Sequence, residues 1–195
     1  MFVEGSAEDR RWRGWGFVES ERTQQGEALF TDFRDATKPL ADRLEARGRR
    51  PAGSRIVSLK EAAPAAVADL LAGAMGVPRD RLYGLIVRTG PDSMLSRFSA
   101  VALRNSVVLG ALLVTEEPDG WPCIGAIGVD ESARSGWVNV AVRAAVAERV
   151  IAAGIQWGRW RAWDRYRDTV NFMKRLPSLR RSDLVRLVRR PQPPA

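Results

Sequence analysis

The chain has 195 residues, 45% of them hydrophobic and 28% charged, with a net charge of +8, one cysteine and no histidine. This describes a folded globular chain long enough for one core and an appendage. It excludes a disulfide framework, a His-based catalytic triad and a Cys/His zinc site.

No apolar run reaches membrane-spanning length, and the opening MFVEGSAEDRRWRG is too polar for a signal peptide. A cytoplasmic location away from membranes is therefore expected. Lysine is confined to Lys38, Lys60 and Lys174, so almost all of the 31 basic residues are arginine. With so much alanine and glycine, that bias reads as codon composition rather than selection for nucleic acid. An anionic ligand such as a nucleotide phosphate suits the basic balance.

Residues 1–28 carry Trp12, Trp15 and Phe17 close together, too apolar a group to remain free in solvent. The segment is predicted to pack as an extra strand with its aromatics buried, on the same subunit or on a partner, the latter making a homodimer. Leu29 to Gly48 reads as a helix with Phe30, Phe33, Leu40 and Leu44 on its apolar side, and Gly48 as its stop. RRPAGS at 49–54 is a linker. This divides the chain into residues 1–53, an appendage, and residues 54–195, the main domain.

Within the main domain, 55–59 reads as a strand, 62–75 as a helix closed by Gly76, and 79–87 as a second helix before Gly90-Pro91. Phe98 to Leu103 alternates as a strand, with Phe98, Ala100 and Ala102 on one face and Ser99, Val101 and Leu103 on the other. Val107 to Thr115 is the next strand, and its interior Gly110 marks a bulge or a close approach. Cys123 to Val129 is another, placing Cys123 as a buried inert thiol.

A polar connection from Asp130 to Gly136 then leads into a helix from Trp137 to a stop at Gly154. Val138, Val142, Val146 and Val150 form its buried stripe, flanked by Ala141 and Ala145. Ile155 to Trp163 is a strand with Trp157, Arg159, Arg161 and Trp163 on one face, and Gly158, Trp160 and Ala162 on the other. Alternating Trp and Arg can stack bases, but sheet core with arginines at the rim is the expectation. Asp168 to Leu176 is a short helix capped by Asp168, residues 178–190 end in a strand, and PQPPA is a frayed tail.

A strand that turns through small residues into a helix N-terminus makes an anion site, because the first-turn N–H groups and the helix dipole point outward. The stretch 121–154 resembles the acyl-CoA-binding core of the GNAT superfamily of N-acetyltransferases. The family's strand ends in a Val-x-Pro-like corner, followed by Arg/Gln-x-x-Gly-x-Gly/Ala and a long helix. Here the corner is Val129-Asp130-Glu131, and the loop is Arg134-Ser135-Gly136-Trp137-Val138-Asn139. Trp137 and Asn139 stand where the family has glycine, and Gly136 comes one position early. From residue 54 the order of elements also matches that family.

The resemblance implies an α/β (α+β) fold with a mixed, mostly antiparallel central sheet flanked by helices. It implies acetyl-CoA or another acyl-CoA as cosubstrate and an amine acceptor as partner, with no metal. The reaction implied is acyl transfer to a primary amine; the alternative is a catalytically inactive GNAT-like binding module. The cosubstrate would lie along Ile127, Gly128 and Val129, with its pyrophosphate on Arg134, Ser135, Gly136, Trp137, Val138 and Asn139.

Where the family places a general-acid tyrosine, this chain has Met173; Thr169 falls on the family's alanine and Tyr166 on its asparagine. No acid is assigned, and Glu116, Glu117 and Asp130 are the carboxylates that border the cleft as bases. Gly16-Phe17 resembles the pair that opens a GNAT domain's last strand. Residues 1–28 then read either as a remnant of a first domain in a tandem protein or as an N-terminal strand that pads the fold or pairs with a second subunit.

Overall fold

In a computed structural model of the chain, placement is described for residues 1–15, 17–90, 92–133, 136–163 and 167–189. The elements follow the apolar periodicity: β1 (Phe2–Val3), α1 (Ala7–Gly14), β2 (Phe17–Leu29), α2 (Phe30–Ala46), β3 (Ser54–Ser58), α3 (Pro64–Met75) and α4 (Arg79–Val87). Then come α5 (Met94–Phe98), β4 (Ala100–Arg104), β5 (Val107–Glu116), β6 (Pro122–Val129), α6 (Trp137–Ala152), β7 (Trp157–Trp163), α7 (Arg167–Met173) and β8 (Arg180–Arg189). Of the sequence landmarks, Gly16, Pro91, Arg134, Ser135, Tyr166 and the tail from 191 fall outside the described residues.

The eight strands form one sheet in the order β1-β8-β2-β7-β6-β5-β4-β3. Every neighbouring pair is antiparallel except β6 and β7. This is the mixed, mostly antiparallel sheet flanked by helices that the sequence predicts. Because strand residues alternate between faces, each face carries its own core. One core packs Phe30, Phe33, Val138, Val142, Val146, Val150 and Trp160 under α2 and α6. The other packs Val57, Val67, Leu71, Val101, Ala111 and Leu113 under α3 and α4. The four valines of the α6 stripe are fully buried, each worth roughly 1.5–3 kcal/mol relative to exposure.

Two glycines set how closely the helices approach. A Cβ on Gly110 would lie 2.5 Å from Val138 Cγ1, so β5 seats the first turn of α6. A Cβ on Gly128 would lie 2.9 Å from Ala74 Cβ and 3.0 Å from Leu71 Cδ2, so β6 takes α3 directly on its backbone. Gly110 also sits beside a register shift between β4 and β5, so both sequence readings of this glycine hold.

Three local expectations are corrected. Phe98 ends a helix rather than opening a strand: the Ser93 side chain accepts from Ser96 N–H, caps α5 and delays β4 to Ala100. The strand after α6 begins at Trp157 rather than Ile155, because the Ile155 N–H donates back to Val150 O and wraps the helix end. The helix after β7 closes at Met173, and Asp168 lies within its first turn rather than before it.

The N-terminal segment departs most from its reading as an appendage. β2 lies inside the sheet, bonded on one side to β7 from Thr23 to Leu29 and on the other to β8 from Phe17 to Glu27. The division at residue 53 therefore cuts through one sheet. β2 packs on its own chain, as one of the two expected placements has it. Its aromatics are less covered than expected: Trp12 rests on Phe17 at 4.8 Å and on Phe2 at 6.0 Å, while Trp15 is 57% exposed. They pack on one another at the sheet's edge, where the short helix α1, which carries Trp12, meets β1, β2 and β8.

Candidate functional site

The single parallel pair among the described strands is also the one that comes apart. β6 and β7 are laddered only at Cys123↔Arg159 and Ile124↔Trp160. There β6 bulges: Val114 faces Ile124 and Leu113 faces Ala126, which leaves Gly125 without an opposite residue on β5. A bulge bends its strand and sharpens the twist, so β6 swings away from β7. Gly125 is exposed in a strand otherwise buried or half-buried. The backbone groups that β6 and β7 would have shared beyond this point face the gap.

The gap opens into a cavity of about 1000 Å³. Its walls include Gly125 and Ile127 from β6, Arg161 from β7, Thr23 from β2, Thr169 from α7, and the α3–α4 pair. Arg161 Nη2 donates to Glu117 Oε2 at 2.7 Å, and its Nε donates to Gln25 Oε1 at 3.2 Å. The Cys123 thiol is pushed up to about 12, first by burial and then by the Glu117 carboxylate, so it is inert, as its apolar setting suggests. One buried polar atom of a cavity-lining residue, Thr23 Oγ1, has no hydrogen-bond partner among the described residues; Trp160 Nε1, also without one, belongs to a ring packed under α2 and α6.

The second part of the site is the loop into α6. Asp130 organises it: its N–H donates to Leu109 O at 2.8 Å, and its Oδ1 accepts from the Ser132 N–H at 3.0 Å and the Ser132 hydroxyl at 2.5 Å. The Gly136 N–H is engaged by Ala133 O at 3.2 Å. Among the described residues no side chain caps the helix. The first-turn donors of Trp137, Val138 and Asn139 therefore have neither intrahelical acceptors nor a side-chain cap.

Trp137 does not crowd this end. Its ring is 4% exposed and lies beneath the Arg50 guanidinium at 5.1 Å, so its bulk is directed inward. Asn139 Oδ1 accepts from Arg143 Nε at 3.1 Å. Arg143 is only 6% exposed, with its guanidinium 4.5 Å from the Phe172 ring and no carboxylate within ion-pair distance among the described residues. Burial lowers its pKa to about 10, with Asp168 acting weakly in the other direction.

Of the residues named from sequence, Ile127 lines the cavity and Trp137, Val138 and Asn139 form the helix start. Gly128 turns instead toward α3, which explains why glycine is needed there, and Val129 is half-buried beside the α6 core. Glu117 lines the cavity, Asp130 holds the loop, and Glu116 lies outside the cavity wall. Met173 is buried, its methyl placed where a Cβ on Gly26 would fall.

Sequence reasoning missed Gly125, Thr23, Trp160 and Arg143. Gly125 leaves a trace, since it is the extra residue in the strand's alternation. Thr23 leaves none, because only the sheet order brings it to the cavity. Among the described residues no group of three His, Cys, Asp or Glu side chains is placed to hold a metal, and no helix is long and apolar enough to cross a membrane.

No protein-family model and no curated protein matches the chain. Solved structures do. A GCN5-related N-acetyltransferase from Sphaerobacter thermophilus superposes with a TM-score of 0.64 at 13% identity, over 94% of this chain and 58% of that one. A fungal multi-domain β-N-acetylglucosaminidase with a GCN5-related glucosamine N-acetyltransferase region gives 0.65 at 10%, over 95% of this chain and 23% of that one. A tandem GNAT protein from the clavulanic acid biosynthesis pathway gives 0.60 at 15%, over 92% and 58%. The chain thus spans little more than half of the first and third of these proteins and under a quarter of the second. Along almost its whole length, the chain has the fold of the GCN5-related N-acetyltransferases.

Proposed function

We propose that the chain is an acyl-CoA-dependent N-acyltransferase that moves an acetyl group from acetyl-CoA to a primary amine. The observation that carries this reading is the parting of β6 from β7 at the Gly125 bulge, on the strand that leads into a helix start with free donors. Unpaired strand edges can hold the amides of a pantetheine arm, and the first turn of α6 can hold a pyrophosphate.

In this reading the amine nitrogen attacks the thioester carbonyl carbon. The C–N bond forms, the C–S bond breaks, and the sulfur leaves as a thiolate. An ordinary thiol has a pKa of about 8.5, so the departing sulfur can carry its charge without a tyrosine at position 173. The amine must lose protons, and of the carboxylates named from sequence Glu117 is the one in the cavity wall, held by Arg161. It takes the proton directly or through water.

A second reading is a GNAT-like module that binds without turnover. It is favoured by the buried, aprotic Met173 and by Trp137 and Asn139 in place of the family glycines. Calorimetry with acetyl-CoA on the wild type, Arg134→Glu and Gly136→Trp tests the site; equal affinity in all three would remove it from this loop. Turnover on a panel of amines then separates the two readings. The cytoplasm is the compartment that supplies acyl-CoA to such an enzyme.

A further inference from the structure

The cavity has two unlike walls. Its floor on the strands is electrostatically settled, because Arg161 is matched by Glu117. The α4 wall is not. Arg81, Leu85 and Arg88 follow one another at helical spacing, and all three line the cavity. The opposite side of α4 is anchored by Leu82 and Ile86, which are buried among the α3 residues, so this stripe is held in place.

Of the neighbouring charges, Asp80 also lines the cavity but pairs with Arg79 rather than with Arg81 or Arg88. Arg79 is bound to Asp69 at 2.5 Å and lies 3.6 Å from Asp80. Neither Arg81 nor Arg88 has a carboxylate or side-chain hydrogen-bond partner among the described residues. Between and beside them the wall is apolar, formed by Met75, Val77 and Leu85.

Two unneutralised guanidinium groups over an apolar wall suit a ligand with an anionic group on a hydrophobic body. The phosphates of the cosubstrate are a second source of such charge, but the α6 start lies with the core on the other face of the sheet. Building on the acyltransferase reading, we propose that the acceptor amine carries a carboxylate, phosphate or sulfonate on an apolar chain. Arg81 and Arg88 receive that anion while the amine points toward the gap at Gly125.

The test uses two dyes with the same aromatic body: anilinonaphthalenesulfonate, which is anionic, and phenylnaphthylamine, which is not. The wild type should bind the sulfonate about tenfold more tightly, as expected of charge-assisted contacts at a partly open site. The Arg81→Gln/Arg88→Gln double variant should lose that preference and keep its affinity for acetyl-CoA. Equal binding of the two dyes by the wild type, or an undiminished preference in the variant, overturns the proposal. So does a parallel loss of acetyl-CoA affinity, which would assign the arginines to the cosubstrate.

If acetyl-CoA binds neither protein while the dyes behave as expected, the acyltransferase reading fails and the anion-binding wall stands. With turnover, aminohexanoate should be acetylated in preference to hexylamine, and the preference should vanish in the variant; equal rates in the wild type overturn the assignment to the acceptor.

Discussion

The two faces of the sheet use the same strands to different ends. Beneath α2 and α6, β7 and β2 present Gly158, Trp160, Ala162, Gly26 and Ala28, and the space is filled: Trp160 meets Phe30 at 5.5 Å and Phe33 at 5.4 Å. On the opposite face the same strands present Arg159, Arg161, Gln25 and Glu27, tied by hydrogen bonds and roofed only in part by α3 and α4. One face is a scaffold, packed at the density that makes volume changes costly. The other keeps a cavity, and its polar residues contribute little to folding because they keep their water. Substitutions should therefore sort by face before they sort by residue type.

The largest expected effect comes from removing a strand that serves both faces. Deleting residues 1–28 takes away β2 and leaves β7 and β8 without a partner between them. We expect no cooperative thermal transition from this variant, and aggregation through the exposed edges. A soluble product with an unchanged melting point would mean that the sheet closes without β2. The next effect separates the faces directly. Trp160→Ala should cost about 3–5 kcal/mol in denaturant unfolding, while Gln25→Ala, one strand away on the cavity face, should stay within about 0.5 kcal/mol. Comparable losses at the two positions would show that the cavity face is structural as well.

The filled face was the legible one. Val138, Val142, Val146 and Val150 announce α6, and the alternation of β7 separates Gly158, Trp160 and Ala162, which go under the helices, from the face of Arg159 and Arg161. Such patterns are local, and burial enforces them. The cavity face was read only in part. Of the strand residues that the resemblance gives to the cosubstrate, Ile127 lies in the cavity wall, whereas Gly128 faces α3, for which its missing side chain makes room. The bulge at Gly125 depends on pairing with β5, and the contribution of Thr23 depends on β2 entering the sheet between β7 and β8. Neither is a property of a local window. The same nonlocal pairing defeats the division at residue 53, which was drawn from a loop of linker-like composition.

A smaller effect, and of opposite sign, is expected where the filled face admits a charge. Arg143 is buried with one hydrogen bond to Asn139, and its pKa is lowered to about 10 from an ordinary 12.5. The charged form is therefore disfavoured by folding. That cost is fully present below about pH 10 and is relieved as pH rises through the folded-state value toward the unfolded one. Arg143→Met should raise stability by about 1–3 kcal/mol near neutral pH, with the gain shrinking above pH 10. It should also weaken acetyl-CoA binding if the buried cation supports an anion at the start of α6. A loss of stability in Arg143→Met would show that its contacts with Asn139 and Phe172 outweigh the cost of burying the charge.

The smallest effect on folding, and the finest probe of the cavity face, is the reactivity of Cys123. Its thiol is raised to about 12 by burial and by Glu117, while Arg161 acts in the opposite direction. A raised thiol pKa gives stability that is fully present below the unfolded thiol value of about 9 and is lost as pH rises through the folded one. The native protein should therefore react negligibly with iodoacetamide at pH 8, where the unfolded chain reacts readily. Charges on the cavity face should tune this with little change in melting temperature. Glu117→Gln removes an anion and should move the labelling profile to lower pH; Arg161→Gln removes a cation and should move it to higher pH. If both substitutions leave the profile in place, the thiol reports burial alone, and the Glu117–Arg161 pair does not set the potential at the cavity floor.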